Sequence, residues 1–424
     1  MSKKLSFVMA IVMAVSCSQA PRYSSEELRS MGDELTELYA GISHRVIRPA
    51  EGYLKYDYLI PAGFYKQMWD WDGYFMGYYW AEKGRPELLK YWALNLISNI
   101  DERGYVCGCA TVNGPRLMHG DFSMKPFLSQ GIFLASEALG DYSWVEPIYE
   151  QSCRALAFRD STQYDPQYGL YFWDNGFQSG ADNNVALNYF KGDTRSFLAT
   201  DCSTMQLREL KAQARIAAKL GHDEDSRMFS RRADSLAAAI NRYLWCDEDK
   251  CYYNVDRSTG DFYKRVSYSC FWPLVEGLAS QQDGREMLRK YMFSEKYMKA
   301  ASGFRTLSVS DPDYNNKNII KPFSNWQGPV WVISSYIYSL GLHRYGFDDE
   351  IAWMTGRLGE LVIADIKAVD STHECYHADT GEPLSPAPTY VDENGKFIGF
   401  ISWNLLLELL FDSVNNGVWH TMEI

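Results

Sequence analysis

The chain has 424 residues, of which 46% are hydrophobic and 15% aromatic, and this is enough apolar material for a large packed core. The formal net charge of -12 and the lack of a run rich in Lys and Arg argue against nucleic acid as a partner. The 13 Trp and 30 Tyr are numerous, and aromatic rings suit either the flat faces of sugars or the filling of a core.

The first residues have the pattern of an export signal. Two lysines precede an apolar run over residues 5–15, which is too short to cross a bilayer. Cys17 follows small residues at the end of this run, as in a bacterial lipobox, although Ala14 stands where such motifs usually carry Leu. We therefore expect residues 1–16 to be a lipoprotein signal peptide. A lipid on Cys17 would anchor the protein to the outer membrane, facing the periplasm; the alternative is a soluble periplasmic protein.

Apolar residues at helical spacing dominate the mature chain. In chain order they predict helices at about 24–41, 71–83, 86–100, 126–139, 142–158, 201–219, 223–243, 267–278, 284–293, 327–341, 348–368 and 400–412. Strand-like segments at 170–173 and 252–255 interrupt this pattern. No Pro- or Ser-rich linker divides residues 17–424, so we expect a single domain.

Twelve helices in sequential antiparallel pairs predict an all-α fold, an (α/α)6 barrel with short β-hairpin insertions. In such a ring the inner helices all begin at one end. The polar and aromatic residues at the predicted helix starts would therefore meet at one mouth of the barrel, where the unpaired N–H groups of the helix ends are also found.

The cysteines and histidines predict no metal site, and the sequence calls for no cofactor. Cys107 and Cys109 are too close together in sequence for a usual zinc pair. Cys246 and Cys251 flank a short acidic turn, and export would permit a disulfide between them. The oligomeric state is left open by the sequence.

Two carboxyl groups are candidates for catalysis. Asp182 lies in a turn rich in Gly and Asn, shortly after a cluster of aromatic residues at 171–173. Because rings solvate a carboxylate poorly, we expect a raised pKa for Asp182, as a general acid requires; an ordinary turn aspartate is the alternative. Glu374, in a second loop, is the candidate general base or else a solvated surface residue. Hydrolysis of a glycosidic bond uses two such carboxyl groups.

Four motifs in order resemble those of trehalase-like hydrolases and glycoside hydrolase family 63, which includes bacterial mannosylglycerate hydrolases and processing α-glucosidases. The family patterns are WDxxF, SGxDN, YWRGPIW and ExY. The corresponding stretches are WDWDGYF at 69–75, SGADN at 179–183, NWQGPVW at 325–331 and HECY at 373–376. With their flanking helices the motifs span residues of about 65–412.

This resemblance implies an (α/α)6 barrel and an inverting α-glycoside hydrolase that acts on a small α-glucoside, an α-mannoside or a trimmed oligosaccharide. It gives Asp182 the role of general acid and Glu374 that of general base. The candidate contacts to the carbohydrate substrate are Trp69, Trp71, Asp72, Lys125, Gly180, Asn183, Arg195, Asn325, Trp326, Gln327, Trp331, Tyr376 and Trp403.

The sequence also departs from the family pattern. Gln327 stands where the family usually has Arg, and Lys125 stands where relatives often have Gln. Arg195 and Arg305 could recognise an acidic leaving group such as glycerate, or they could form surface salt bridges. The N-terminal β-sandwich common in family 63 has no room before the first motif, which makes the compact bacterial branch the better guide.

Two histidines could lie near the mouth, His119 and His373, and the second of these could orient Glu374. Two rival functions stay open. A different (α/α)6 enzyme, such as a sugar epimerase or a lyase, would transfer protons with His or Tyr instead of two carboxyl groups. A catalytically inactive glycan-binding lipoprotein would bind sugar without turnover.

Overall fold

The computed structural model describes residues 23–61, 65–116, 123–187, 193–319, 324–385, 391–392, 394 and 397–424. These residues form twelve α-helices, and none of the helices is long and apolar enough to span a membrane. The helices are α1 Ser25–Ile42, α2 Asp70–Glu82, α3 Glu87–Ile97, α4 Leu128–Leu139, α5 Tyr149–Gln163, α6 Thr200–Leu220, α7 Asp223–Tyr243, α8 Trp272–Val275, α9 Gln281–Met287, α10 Val332–Arg344, α11 Asp348–Val369 and α12 Leu406–Asn416.

Burial distinguishes two kinds of helix. In α2 and α10, residues 70–79 and 332–342 are buried without a break. By contrast, α7 buries a single stripe at three- and four-residue spacing, formed by Phe229, Ala233, Leu236 and Ile240. A helix that is buried on all sides belongs to the interior, and a helix with one apolar stripe covers it from outside.

The even-numbered helices form a closed inner ring. Contacts run from α2 to α4, α6, α8, α10 and α12, and from α12 back to α2. Odd-numbered helices pack outside this ring, for example α3 on α2 and α4, α7 on α6, and α11 on α10 and α12. The predicted (α/α)6 barrel is thus confirmed. Because each inner helix follows an outer one, the loops that lead into the inner helices share one end of the barrel.

Short strands lie in the loops, and all their pairings are antiparallel. They are β1 Ile47–Arg48, β2 Tyr58–Leu59, β3 Met68–Trp69, β4 Cys109–Thr111, β5 Gly114–Pro115, β6 Tyr164–Asp165, β7 Leu170–Tyr171, β8 Phe197–Leu198, β9 Trp245–Cys246, β10 Cys251–Tyr252, β11 Asn254–Asp256, β12 Phe262–Tyr263, β13 Lys299–Ala300, β14 Gly303–Phe304, β15 Cys375–Tyr376 and β16 Pro383–Leu384. The predicted hairpin insertions are therefore present.

Several predicted helix boundaries differ from the structure. For the helix predicted at 284–293, α9 spans Gln281–Met287 and a π-helix follows, and for the helix predicted at 400–412, α12 spans Leu406–Asn416 after a 3-10 helix. Three further differences have a local reason. α5 begins only at Tyr149, because Pro147 lies in a 3-10 turn before it. The α-helical part of the segment predicted at 267–278 is the four-residue α8, which follows a 3-10 helix. α10 begins at Val332 and not at 327, since Gly328 and Pro329 keep the preceding residues out of the helix.

The disulfide considered between Cys246 and Cys251 is not formed. The two residues face each other in the β9–β10 hairpin, yet both are free thiols. The Cys246 thiol lies 3.6 Å from Asp249 Oδ2, and the Cys251 thiol lies 3.5 Å from the carbonyl oxygen of Tyr252. The two sulfur atoms thus have separate partners on either side of the turn.

Candidate active site

The candidate residues lie in the loops that enter the inner ring. The acid loop, residues 176–187, connects α5 to α6 and contains Asp182. The amide loop, residues 324–331, leads directly into α10. The base segment, residues 372–376, contains Glu374 and lies between α11 and α12. The sequence places these stretches far apart, and the barrel brings them to one end.

Asp182 is held by the amide loop. Its Oδ2 accepts hydrogen bonds from the main-chain N–H of Ser324 at 3.1 Å and from the Ser324 hydroxyl at 3.0 Å. The acid loop reaches this position through a 3-10 turn that ends at Gly180 with a φ of +80°, a left-handed conformation that favours glycine. Asp182 is half-buried, as expected for a residue that meets a substrate at a mouth.

Carboxamide groups join the acid loop to the amide loop. Asn183 is fully buried, and its Oδ1 accepts from the main-chain N–H of Trp326 at 2.5 Å. Its Nδ2 donates to Asn325 Oδ1 at 3.3 Å. Gln327 Nε2 donates to the carbonyl oxygen of Asn183 at 3.1 Å, while Gln327 Oε1 accepts from Asn315 at 2.9 Å. The amide that replaces the family Arg is therefore engaged in holding the acid loop.

The base segment is held by the same amide loop. Tyr376 and Val330 exchange two main-chain hydrogen bonds, of 2.8 and 2.9 Å. Glu374 lies two residues before this bridge and is 5% exposed. Tyr376 is fully buried. The Asp182 carboxyl group and the main chain of the segment that carries Glu374 are thus both bonded to one eight-residue loop.

A buried ion pair underlies the acid loop. Lys125 Nζ lies 3.1 Å from Asp70 Oδ1, and the two side chains are 5% and 1% exposed. The ammonium group also lies 5.8 Å from the centre of the Trp71 ring. Gly180 packs on this pair, since a Cβ added there would lie 3.0 Å from Lys125 Cε and 3.1 Å from the Trp71 ring. Lys125 and Trp71 therefore form the floor under the loop of the candidate acid.

Asp72 completes the far side of the mouth. Its Oδ1 accepts from the Ser402 hydroxyl at 2.7 Å, which links α2 to the 3-10 helix that precedes α12. Burial raises the pKa of Asp72 to about 7, although the Ser402 hydrogen bond and the Lys125 charge both lower it. An almost buried carboxyl group with one side-chain partner retains capacity to accept hydrogen bonds from hydroxyl groups of a ligand.

Tryptophan rings connect the remaining parts. Trp326 stacks on Trp331 with ring centroids 4.6 Å apart, and Trp331 lies 6.2 Å from Trp403. Trp331 is buried, and its indole N–H donates to the carbonyl oxygen of Asn325 at 3.0 Å. Packing and hydrogen-bond contacts therefore form a closed ring that comprises Trp71, the acid loop, the amide loop, Trp403 and Asp72.

Comparison with known proteins agrees with this arrangement. The family model described as the mannosylglycerate hydrolase MGH1-like glycoside hydrolase domain matches residues 65–391. The chain belongs to this family. The protein is accordingly a glycoside hydrolase, and the predicted resemblance to trehalase-like and family 63 enzymes is confirmed.

Solved structures share the fold of this glycoside hydrolase. The family 63 mannosylglycerate hydrolase from Thermus thermophilus, in complex with glucose, superposes with a TM-score of 0.67 at 16% identity, covering 89% of this chain and 98% of that one. The neutral trehalase from Saccharomyces cerevisiae gives a TM-score of 0.65 at 15% identity, covering 93% and 80%. A periplasmic trehalase from Escherichia coli O1:K1 is 20% identical over 401 residues, covering 78% of this chain and 67% of the relative.

Other residues predicted to contact the substrate lie outside this ring of contacts or already pair with another side chain. Arg195 is 57% exposed and pairs with Asp174 at 3.1 Å. Arg305 is buried, and its guanidinium pairs with Asp379 at 2.7 Å and also donates to Tyr314 at 3.1 Å. Trp69 is half-buried in β3, immediately before α2. His119 and Cys17 lie outside the described residues.

Sequence reasoning missed Ser324 as a residue that holds the acid loop, and it noted Asp201 only as a polar residue at a helix start. Ser324 directly precedes the amide motif, so its position was a usable signal. Asp201, at the start of α6, accepts from the Ser269 hydroxyl at 2.7 Å, and that hydroxyl accepts from Asn184 at 2.7 Å. Burial raises the pKa of Asp201. Among the described residues no group of His, Cys, Asp and Glu is arranged to hold a metal ion.

Proposed function

We propose that this glycoside hydrolase inverts an α-glycosidic bond, with Asp182 as general acid and Glu374 as general base. The observation that carries the proposal is that one loop, the amide loop, bonds both the Asp182 carboxyl group, through Ser324, and the segment that carries Glu374, through Val330. Support of both residues by one loop suits a reaction that needs an acid and a base at one bond.

The proposed reaction uses no covalent intermediate. Asp182 protonates the glycosidic oxygen while Glu374 takes a proton from a water molecule, which attacks the anomeric carbon from the opposite face. Inversion requires carboxyl groups roughly 6.5–9.5 Å apart, which leaves room for that water. Asp72 accepts hydrogen bonds from neighbouring sugar hydroxyls, and Trp71 forms a wall of the same subsite.

The substrate class follows from the relatives and from the residues of the mouth. Two of the similar proteins are a mannosylglycerate hydrolase and a trehalase, and the substrates in these names are small glycosides. Aromatic rings and carboxyl groups at a barrel end suit one sugar and a short leaving group. A small α-glucoside or α-mannoside is therefore the proposed substrate.

The test is NMR of the products from α,α-trehalose, α-mannosylglycerate and α-glucosylglycerate, read before the sugars mutarotate. We expect β-configured sugar from the cleaved subsite, and loss of turnover in Asp182→Asn and Glu374→Gln. Inversion of trehalose gives equal α- and β-glucose, whereas retention gives α-glucose alone. Product of α configuration only would overturn inversion, and an Asp182→Asn variant with full turnover on these O-glycosides would overturn the role of Asp182 as general acid.

We further propose that residues 1–16 are removed, that residues 17–424 form one domain, and that Cys17 carries a lipid. The similarity to a periplasmic trehalase supports export. Incorporation of labelled fatty acid, followed by membrane fractionation, tests the anchor. Wild type is expected in the membrane fraction and Cys17→Ser in the soluble periplasm. Equal fractionation of the two proteins, without label in either, would contradict lipidation.

A further inference from the structure

Asp365 is a buried carboxylate that the proposed reaction does not use. It lies near the end of α11 and is 3% exposed. Its Oδ2 accepts from the main-chain N–H of His373 at 2.7 Å and from the Tyr376 hydroxyl at 3.0 Å. Its Oδ1 lies 2.8 Å from Nδ1 of His373. The three donors come from residues on both sides of Glu374.

We propose that Asp365, acting through His373, is a positioning residue that holds the Glu374 carboxylate where it can activate water. The inference rests on the proposed role of Glu374 as general base. Asp365 itself does not contact the substrate in this proposal. It fixes the backbone that carries the base, and its effect is therefore expected on turnover.

The peptide group between His373 and Glu374 is fixed from a second direction. Asn404 Nδ2 donates to the carbonyl oxygen of His373 at 2.8 Å, and this oxygen shares a peptide plane with the nitrogen of Glu374. Asn404 is itself held, because Tyr39 donates to its carbonyl oxygen at 2.5 Å. With the N–H of His373 on Asp365, both sides of the His373 main chain are fixed immediately before the base.

The imidazole ring of His373 is also confined. It stacks on Phe397 with ring centroids 4.5 Å apart and an interplanar angle of 22°. The hydrogen bond from Nδ1 to Asp365 sets the rotation of the ring within this stack. A side chain held both by stacking and by a charge-assisted hydrogen bond has little rotational freedom. The segment that carries Glu374 is therefore pre-organised in the folded protein.

Pre-organisation matters because water activation depends on geometry. A displacement of about 1 Å in a catalytic group can cost about 10²-fold in rate. Replacing the Asp365 carboxylate by a carboxamide puts an N–H₂ group where an oxygen now accepts, so His373 loses at least one partner. The base segment would then keep its main-chain hydrogen bonds to Val330. It would lose the Asp365 contacts that fix His373, immediately before Glu374.

The test uses α-glucosyl fluoride and α-mannosyl fluoride as substrates. Fluoride leaves with little protonation, so turnover of these probes depends on the base more than on Asp182. Asp365→Asn is expected to lower kcat on the fluoride by about 10²-fold, with KM changed by no more than about twofold. Asp182→Asn is expected to retain much of its turnover on the same probe.

Two matched sets of variants separate positioning from folding. Glu408 is a control carboxylate, 6% exposed, which accepts from Tyr79 at 2.6 Å and from Thr36 at 2.8 Å and lies in none of the site loops. Glu408→Gln is expected to lower thermal stability without lowering kcat. His373→Asn retains a donor near the position of Nδ1, whereas His373→Leu does not, so Asn is expected to recover about tenfold in kcat over Leu.

The outcomes distinguish this inference from the proposed function. Equal kcat values for wild type and Asp365→Asn, or for His373→Asn and His373→Leu, would overturn the positioning role. If Asp365→Asn does not fold, the pair of His373 variants decides alone. A Glu374→Gln variant with full turnover on the fluorides would instead overturn the base assignment itself. An inactive Glu374→Gln beside a fully active Asp365→Asn would leave the proposed function intact and remove only the inference.

Discussion

The candidate acid and the candidate base are held in different ways. Around Asp182 the support comes from neutral groups, which are the Ser324 hydroxyl and main chain and the carboxamides of Asn183 and Gln327. Around Glu374, one buried carboxylate, Asp365, takes three donors from the same short segment. The hydrogen bonds on the acid side are therefore spread over several groups, whereas on the base side three of them converge on one carboxylate, in addition to the Val330 bridge and the Asn404 bond.

The difference predicts unequal consequences for stability and turnover. The acid loop and Asp182 are held by several separate hydrogen bonds, so the loss of one leaves the others. On the base side three hydrogen bonds end on the one Asp365 carboxylate, so its loss removes them together. Changes on the acid side should therefore cost stability and a part of turnover, while the loss of Asp365 should affect turnover most.

The largest loss of stability is expected from Lys125→Met, beneath the acid loop. The variant leaves the Asp70 carboxylate, which is 1% exposed, without its cation. Breaking a buried pair from one side typically costs about 3–5 kcal/mol, and we expect a decrease of about 3 kcal/mol in the free energy of unfolding. Urea denaturation measures it. The double variant Asp70→Asn/Lys125→Met should recover part of the loss, and a single variant as stable as wild type would contradict the ion pair.

A smaller loss is expected from Asn183→Ala. The main-chain N–H of Trp326 would lose its buried acceptor, which costs about 1–3 kcal/mol, and kcat on an O-glycoside should fall more than kcat on a glycosyl fluoride. The matched control is Asn95→Ala, in α3. Asn95 is also buried and bonds the main chain of Lys55 and Tyr56, so stability should fall without a change in kcat. If both variants lower kcat equally, the effect of Asn183→Ala on kcat is not specific to the acid loop.

Paired changes at two glycines measure the contact beneath the acid loop. Gly180 and Gly221 have φ values of +80° and +81°, so alanine strains both backbones equally. An added Cβ at Gly180 would press on Lys125 and Trp71, whereas at Gly221 nothing lies within 4 Å. We expect the free energy of unfolding to fall by about 1 kcal/mol in Gly221→Ala and by about 1 kcal/mol more in Gly180→Ala. Only Gly180→Ala is expected to have a raised KM. If Gly180→Ala has the same KM as wild type, then the Lys125 and Trp71 contacts beneath the acid loop do not contribute to the sugar subsite.

Much of the fold could be predicted because the long helices carry their own signals. The apolar periodicity predicted α6 and α7 within one residue at each end. The short helix α8 was predicted too long, since its burial depends on the ring around it and not on a local pattern. Propensity therefore predicts the long helices, while contacts of the assembled ring define the short ones.

The site divides in the same way. Asp182, Glu374 and Asp72 were found because motifs surround them, and the barrel brings their loops together. The bond from Ser324 to Asp182 joins residues 142 positions apart in sequence, and Asp365 lies on a helix with no motif of its own. Both contacts are defined by the tertiary structure: Ser324 could be located only through the adjacent amide motif, and Asp365 has no local sign in the sequence.

A pH-dependent effect is expected at Asp72, in the first turn of α2. Burial raises the pKa of its carboxyl group from 3.8 to about 7, so the folded protein keeps a proton that the unfolded chain releases. Stability from this group is therefore present below about pH 4 and is lost as the pH rises to about 7. Asp72→Asn cannot release a proton, and its melting temperature should fall less than that of wild type between about pH 5 and about pH 8. Parallel melting curves across this range would contradict the raised pKa. A KM for Asp72→Asn that exceeds the wild-type KM above about pH 7 and approaches it at lower pH would show in addition that the carboxylate, and not merely its volume, holds the sugar.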